Sequence, residues 1–329
     1  MQSSLTTLDD LMRTLRQTHR IDDAQRLRSL SGGVSALVAV IEGGDTPWVV
    51  KSPLAKLTVD DEWLVDRERG ANEALILELL GGRLGPVRTP RLLFFDESNV
   101  VLGQEFFAPP TANYKDELLA GRSHLDVAHS IGVALGILHR IEPPLSLSGE
   151  RPRQLFDDLR LDPYYRTAAL RCPELREELE SLVQRTIAVA QRSLVHGDLS
   201  PKNVLVTSEA PVLLDWEVIH VGDPAFDRGM MGAHLMLKAL FHDVTTTTHP
   251  LAQAAGQFWL AYEGPASVDA SLSHVGGVMI ARLYGKSPVE YLTDERKRAR
   301  AHRIGAMALR GEIRTVDELL GSLSEDRRG

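Results

Sequence analysis

The chain has 329 residues, 43% of them hydrophobic and 25% charged, the proportions of a globular protein long enough to bury a large core. Thirty-seven Lys and Arg against 45 Asp and Glu give a formal charge of −8, which argues against binding nucleic acid through overall charge and leaves only a local basic patch for that purpose. The one cysteine, Cys172, excludes an internal disulfide and a cysteine-rich metal site and fits a reducing cytoplasm; the N-terminus lacks the features of a signal peptide, and no apolar run is long enough to span a bilayer.

In chain order, Leu8, Leu11, Met12 and Leu15 follow Thr7 at helical spacing and predict an amphipathic helix over Leu8–Arg16. Three strand-like runs come next, Ala24–Leu30, Ser35–Glu42 and Trp48–Ser52. Between the first two lies Ser31-Gly32-Gly33-Val34-Ser35, where a glycine pair lets backbone N–H groups approach a phosphate, although alone it also fits a hairpin turn. Lys51 ends the third strand, one hairpin beyond that turn, in the order of a phosphate loop followed by a phosphate-binding lysine. A lysine snorkelling at a strand end is the plainer alternative. A helix is expected over Asp66–Leu80, with Glu73 as the ion-pair partner of Lys51 and Glu78 as the alternative.

Pro90–Phe95 and Val100–Phe107 read as two further strands, and Ala108-Pro-Pro-Thr111 as a stiff connector, placing a boundary near residue 108. Beyond it, Ser123 caps an expected helix over Val127–Arg140, and residues 153–191 read as helical pieces broken at Pro163 and Pro173. Tyr164 and Tyr165 sit between those breaks as pocket-lining or packing residues. Asp223 before Pro224 reads as the cap of a helix running through Leu240. Gly285-Lys-Ser287 lacks the upstream glycine of a phosphate-binding P-loop, His242 and His249 have no metal-site spacing and read as solvated loop histidines, and the basic run Arg296–Arg303 reads as a solvated helix face.

The chemistry concentrates in Leu194–Val206 and Val212–Glu217, two apolar runs interrupted by polar groups. His196-x-Asp198-Leu199-x-x-x-Asn203 fits the catalytic-loop template in which the Asp takes a hydroxyl proton and the Asn holds a metal. Asp215 stands where such enzymes keep a second metal-binding carboxylate. Read alone, His-Gly-Asp before Ser-Pro also fits a simple turn; the second carboxylate cluster at the right distance decides against that. Val195–Asn203, Leu214–Glu217 and Gly222–Asp227 together resemble the aminoglycoside phosphotransferase family, whose superfamily includes choline, homoserine and methylthioribose kinases on a protein-kinase-like fold.

That resemblance covers roughly residues 30 to 310. It implies an α+β, two-lobed protein, with a small antiparallel-sheet lobe over 1–107 that binds nucleotide and a larger, mostly helical lobe over 108–329. It implies transfer of the γ-phosphoryl group of Mg²⁺-ATP to a hydroxyl of a small molecule, with no nucleic-acid or membrane partner expected and the oligomeric state left open. Asp198 would accept or orient the hydroxyl proton, Asn203 and Asp215 would hold magnesium, and Glu217 would assist the metal or shape the site. Lys51, held by Glu73, would bind the α- and β-phosphates under Ser31, Gly32, Gly33 and Ser35. The backbone of Glu105 to Phe107 would meet adenine, and Asp227 would brace the catalytic loop. Lys202 would neutralise the transferred group, or stand as a plain surface lysine. Arg282 matches one member of an arginine pair that contacts substrate in methylthioribose-kinase-like enzymes; Ala281 in place of the other, and Ser-Pro-Lys-Asn in the catalytic loop, depart from those enzymes. The rival expectation is a non-catalytic nucleotide-binding protein on the same fold.

Overall fold

A computed structural model describes residues 5–30, 35–56 and 65–324. The expected turn at Ser31, Gly32 and Gly33 lies outside the described residues, while Ser35 lies within them. The fold is α+β and protein-kinase-like, with an antiparallel sheet at the N-terminal end and helices dominating the rest. Among the described residues, no helix is long and apolar enough to cross a membrane.

The first helix, α1 (Leu8–Gln17), opens with a capping box in which the Thr7 hydroxyl and Asp10 carboxylate exchange hydrogen bonds with each other's backbone N–H. The strands that follow are β1 (Arg26–Ser29), β2 (Ala36–Glu42) and β3 (Trp48–Pro53); then come α2 (Arg69–Leu80), β4 (Leu92–Asp96) and β5 (Val101–Glu105). They form one sheet in the order β1-β2-β3-β5-β4. Alternation sends Ala39, Ile41, Val50 and Val101 toward α1, where Leu11 and Leu15 complete a small core. The central strand β3 is paired on both sides, so Lys51 is fixed between Val38 and Leu102. Across the sheet, α2 buries Ala74, Ile76, Leu77 and Leu80 in the main core and takes Glu73 inward with them. It begins three residues later than the periodicity suggests.

The second part continues with β6 (Ala112–Asn113), α3 (Tyr114–Leu119), α4 (Leu125–Leu138) and α5 (Glu150–Phe156). The cap expected at Ser123 is not made. His124 precedes α4 with φ +44°, and the Ser123 carbonyl instead accepts the Tyr114 hydroxyl at 2.9 Å. A π-helical segment (Asp157–Arg166) carries Pro163, which has no N–H to donate; α6 (Thr167–Arg171) and α7 (Arg176–Ala188) follow.

Four short strands then hold the two chemistry-bearing loops. They are β7 (Ser193–Val195), β8 (Val204–Val206), β9 (Val212–Leu213) and β10 (His220–Gly222). Pairing of β7 with β10, and of β8 with both β6 and β9, leaves residues 196–203 and 214–219 as loops anchored at each end. Below them run the buried α8 (Pro224–Phe241), α9 (Pro250–Ala261), α10 (Val268–Tyr284) and α11 (Glu295–Leu309). Asp223 caps α8 by accepting from Ala225 N–H at 2.9 Å, as its position before Pro224 suggests.

Two surface expectations fail. Arg300 of the basic run is buried and bonds Asp243 at 2.7 Å and the Leu323 carbonyl at 2.8 Å, so that face of α11 is not simply solvated. His249 caps α9, and His242 reaches the Leu118 carbonyl at 2.9 Å, so neither is an idle loop histidine.

Candidate active site

Lys51 leaves β3 to meet carboxylates from two distant parts of the chain. Its Nζ lies 2.8 Å from Glu73 Oε2 on α2, and it also pairs with Asp215 from the second loop. The ion pair expected with Glu73 is therefore present; Glu78 is exposed on the other side of α2. Burial works against the Lys51 ammonium, but Asp215 and Glu73 outweigh it and hold the lysine well above its ordinary range. Burial pushes Glu73 upward against the pull of Lys51, with Asp215 adding to the rise. For Asp215, the neighbouring Lys51 and Lys202 overcome burial and keep the carboxyl far below its usual range.

Asp215 adopts φ +66°, a left-handed backbone rare for a residue with a side chain. Such strain costs about 1 kcal/mol or more and persists where surrounding structure enforces it. Here the His196 ring donates from Nε2 to the Leu214 carbonyl at 3.0 Å and packs at 4.4 Å against Trp216, fixing the residues on both sides of Asp215. With Nε2 donating, His196 Nδ1 is free to accept Asp198 N–H at 3.2 Å. Burial lowers the imidazole below its ordinary value, in keeping with a neutral ring.

The catalytic turn is held from below by Asp227 of α8, whose carboxylate accepts His196 N–H at 2.6 Å and Gly197 N–H at 2.9 Å. Gly197 takes φ +77°, and a Cβ there would stand 2.7 Å from the Val218 carbonyl oxygen. Only glycine fits. Asp198 projects from this turn with three partners: Arg160 Nη2 at 2.9 Å, Lys202 Nζ at 2.9 Å and Asn203 Nδ2 at 2.9 Å. Burial would raise its carboxyl, but Arg160 and Lys202 overcome that and hold it below the usual range, so it is ionised near neutrality. Asn203 spends its amide N–H groups on Asp198 and leaves its Oδ1 as an acceptor.

Two arginines at the site carried no sequence signal. Arg69, fully buried at the start of α2, donates to Glu217 Oε2 at 3.0 Å, to the Ser35 carbonyl at 2.6 Å and to the Leu54 carbonyl at 2.8 Å. It ties the Ser35 backbone to Glu217, and one oxygen of that glutamate is thereby occupied. Arg160, on the π-helical segment, grips Asp198 as described. Both lie in charged stretches, Asp66–Gly70 and Asp157–Asp162, within segments that read from sequence only as helical.

Other expected positions divide. Lys202 is half exposed and reaches back four residues to Asp198. Glu105 has its backbone N–H bonded to the Arg91 carbonyl at 2.9 Å, so that group is already engaged; its carboxylate holds Arg88 at 2.9 Å, and the Arg88 guanidinium lies 5.1 Å over the Phe107 ring. Arg282 donates to Ser287 Oγ at 2.9 Å and to the Tyr164 hydroxyl at 3.4 Å. Tyr165 is fully buried and bonds His274 at 2.8 Å, a packing residue.

A family model, the phosphotransferase enzyme family, matches residues 26–269. Methylthioribose kinase 1 of Oryza sativa subsp. japonica is 24% identical over 251 residues, covering 67% of this chain and 58% of that protein. The chain thus spans less than two thirds of the length of that relative. Choline kinase LicA from Streptococcus pneumoniae superposes with TM-score 0.54 at 16% identity, over 90% of this chain and 98% of that one. The GDP complex of aminoglycoside 2'-phosphotransferase-IIIa gives TM-score 0.56 at 14% identity, over 94% and 100% of the two chains. These two structures share the fold.

Proposed function

The chain belongs to the phosphotransferase enzyme family, and from that premise we propose that it transfers the γ-phosphoryl group of ATP to a hydroxyl of a small molecule. The observation that carries this reading is the meeting of Lys51, Glu73 and Asp215 beside the Asp198 turn. A buried lysine shared by two carboxylates is costly unless its charge is used, and phosphates supply that use. In this reading residues 1–107 bind the nucleotide and residues 108–329 supply the catalytic loop and the acceptor pocket.

Each residue then has a physical task. Lys51, aimed by Glu73, contacts the α- and β-phosphates. Asp198, kept ionised by Arg160 and Lys202, accepts a hydrogen bond from the acceptor hydroxyl and takes its proton as the new P–O bond forms. Lys202, already against Asp198, faces the transferred group and offsets its charge. Arg69 holds Glu217 and the Ser35 backbone in register, so Glu217 is read as a positioning residue more than a metal ligand.

The oxygen-only donors Asn203 Oδ1 and Asp215 fit magnesium, which favours carboxylate and amide oxygens. When bound there it would neutralise charge on the phosphates. The Glu105 N–H is engaged by the Arg91 carbonyl, so adenine contact in this reading falls to the Glu105 carbonyl and the backbone of Phe106 and Phe107. The test is ADP release by purified protein with ATP and magnesium against a panel of sugars, amino alcohols, hydroxy acids and aminoglycosides. Acceptor-dependent ADP formation, lost in Asp198→Asn, is expected; ADP formation absent with every acceptor would favour the non-catalytic reading.

A further inference from the structure

Helices α8 and α10 pack together, and basic side chains toward their C-terminal ends gather without acidic partners among the described residues. Lys238 of α8 is 2% exposed, yet among the described residues its Nζ has only His234 Nδ1 at 3.2 Å and the face of the Tyr291 ring at 5.0 Å. Arg282 of α10 stands nearby with its Nε buried and unpaired, and the Tyr291 hydroxyl is likewise buried and unpaired. Tyr164 joins this group to the catalytic turn, since its ring lies 5.8 Å from both the Arg282 and the Arg160 guanidinium groups, and Arg160 holds Asp198.

We propose that Lys238, His234 and Arg282, with Tyr291 and Tyr164, form a pocket for an anionic group, a carboxylate or a phosphate ester, on the acceptor whose hydroxyl meets Asp198. This rests on the reading of Asp198 as the partner of that hydroxyl.

Among the described residues, Arg282 Nε–H and Tyr291 O–H are buried with no acceptor, and Lys238, against His234 Nδ1, retains further N–H groups. Buried polar groups are nearly always satisfied, so several unpaired donors in one place call for an acceptor-rich ligand. A carboxylate or phosphate is such a ligand, and no donor of its own is required.

Charge points the same way. Among the described residues no carboxylate pairs with Lys238 or Arg282, and the charged groups that act on Lys238 are Arg282 and Lys115, both cations. Burial and these neighbours push the Lys238 ammonium well below its ordinary range. At His234 burial does most, with Lys238, Arg282, Lys202 and Lys115 adding to it. An arriving anion would relieve that repulsion. A polycationic acceptor would increase it, which disfavours an aminoglycoside in this pocket despite the acidic overall charge of the chain.

The test uses full-length protein saturated with magnesium and a non-hydrolysable ATP analogue, so that the phosphate subsites are filled. Sulfate, glycerate and glycerol 3-phosphate are titrated, with glycerol and choline as uncharged and cationic counterparts, and binding is read by calorimetry and thermal shift. Saturable binding of the anions but not of glycerol or choline is expected. Lys238→Met and Arg282→Gln should each weaken it about ten- to a hundredfold, as loss of a charge-assisted hydrogen bond does, while leaving analogue affinity unchanged. Arg282 is only partly buried, so its variant remains informative if Lys238→Met fails to fold. Absence of saturable anion binding in the wild type, equal binding in a folded variant, or preference for choline would overturn the proposal. Failure of the wild type to bind the ATP analogue would instead count against the phosphotransferase reading, and the anion titration would still decide the pocket.

Discussion

Arg160 sets its Nη2 2.9 Å from Asp198 Oδ1 and donates through Nε to the Gly197 carbonyl at 2.7 Å, so one guanidinium holds both the carboxylate and the turn that carries it. Its charge is a main reason why Asp198 stays ionised against the cost of burial. Arg160→Gln should therefore raise the Asp198 pKa. Because the proposed step needs the ionised form, activity is lost as pH falls through that pKa. The acid limb of kcat/KM should move to higher pH in the variant. An unmoved acid limb in a folded Arg160→Gln enzyme would show that Arg160 does not tune Asp198.

Lys51 and Glu73 give a graded prediction. Lys51→Ala should raise KM for ATP and lower kcat, and Glu73→Gln should act more mildly in the same direction by loosening the lysine. Glu78→Gln, at an exposed position on the same helix, should match the wild type. Steady-state kinetics at varied ATP checks all three. Damage from Glu78→Gln with Glu73→Gln silent would place the lysine's functional partner elsewhere on α2.

Arg69 is fully buried, and its removal would leave the buried Glu217 without its cation and take a donor from the Asp66, Ser35 and Leu54 carbonyls. Breaking a buried pair from one side costs about 3–5 kcal/mol. Arg69→Met should lose stability on that scale in urea unfolding, and adding Glu217→Gln should recover part of it. If the double variant is no more stable than Arg69→Met, the pair itself is not what Arg69 stabilises.

His220, paired with Val195 beside the catalytic turn, stacks on Phe156 at 4.1 Å and donates from Nδ1 to the Val218 carbonyl at 3.0 Å. Burial lowers its pKa to about 4, whereas an unfolded histidine titrates near about 6.5. Between those values the unfolded chain binds more protons, so the stabilisation is full above about pH 6.5 and is lost progressively as pH falls toward 4. The whole effect is about 3 kcal/mol. Urea midpoints at pH 7 and pH 5 should drop more for wild type than for His220→Gln. Equal drops would remove His220 from the acid response.

The parts of the fold that sequence revealed are those with a repeating or local cause. Leu11 and Leu15 repeat at helical spacing, β2 and β3 are short Val-rich runs bounded by turn residues, and Asp223 before Pro224 announces a cap. The catalytic loops were legible because short polar residues interrupted apolar runs at fixed intervals. What escaped was set by tertiary contact. Arg69 and Arg160 occur among other charged residues, and nothing local distinguishes a guanidinium that turns inward from one in solvent. Lys238 and His234 were equally hidden, because a lone basic residue on an apolar helix carries no spacing signal. Ser123 is not the cap because α4 starts one residue later than the pattern suggests, with His124 in left-handed backbone directly before it.

The central claim assigns different work to the two aspartates, and their amide variants separate it. Asp198→Asn keeps the shape of the turn and removes the proton acceptor, a loss that typically costs about 10²–10⁴-fold in rate. Asp215→Asn removes the carboxylate that meets Lys51 and fits magnesium. Calorimetric titration of both variants with magnesium and a non-hydrolysable ATP analogue, beside turnover with an acceptor, is the direct measurement. The account predicts near-native nucleotide affinity with little turnover for Asp198→Asn, and weakened nucleotide affinity for Asp215→Asn. Wild-type turnover in both variants, or the reverse pattern of affinities, would contradict it.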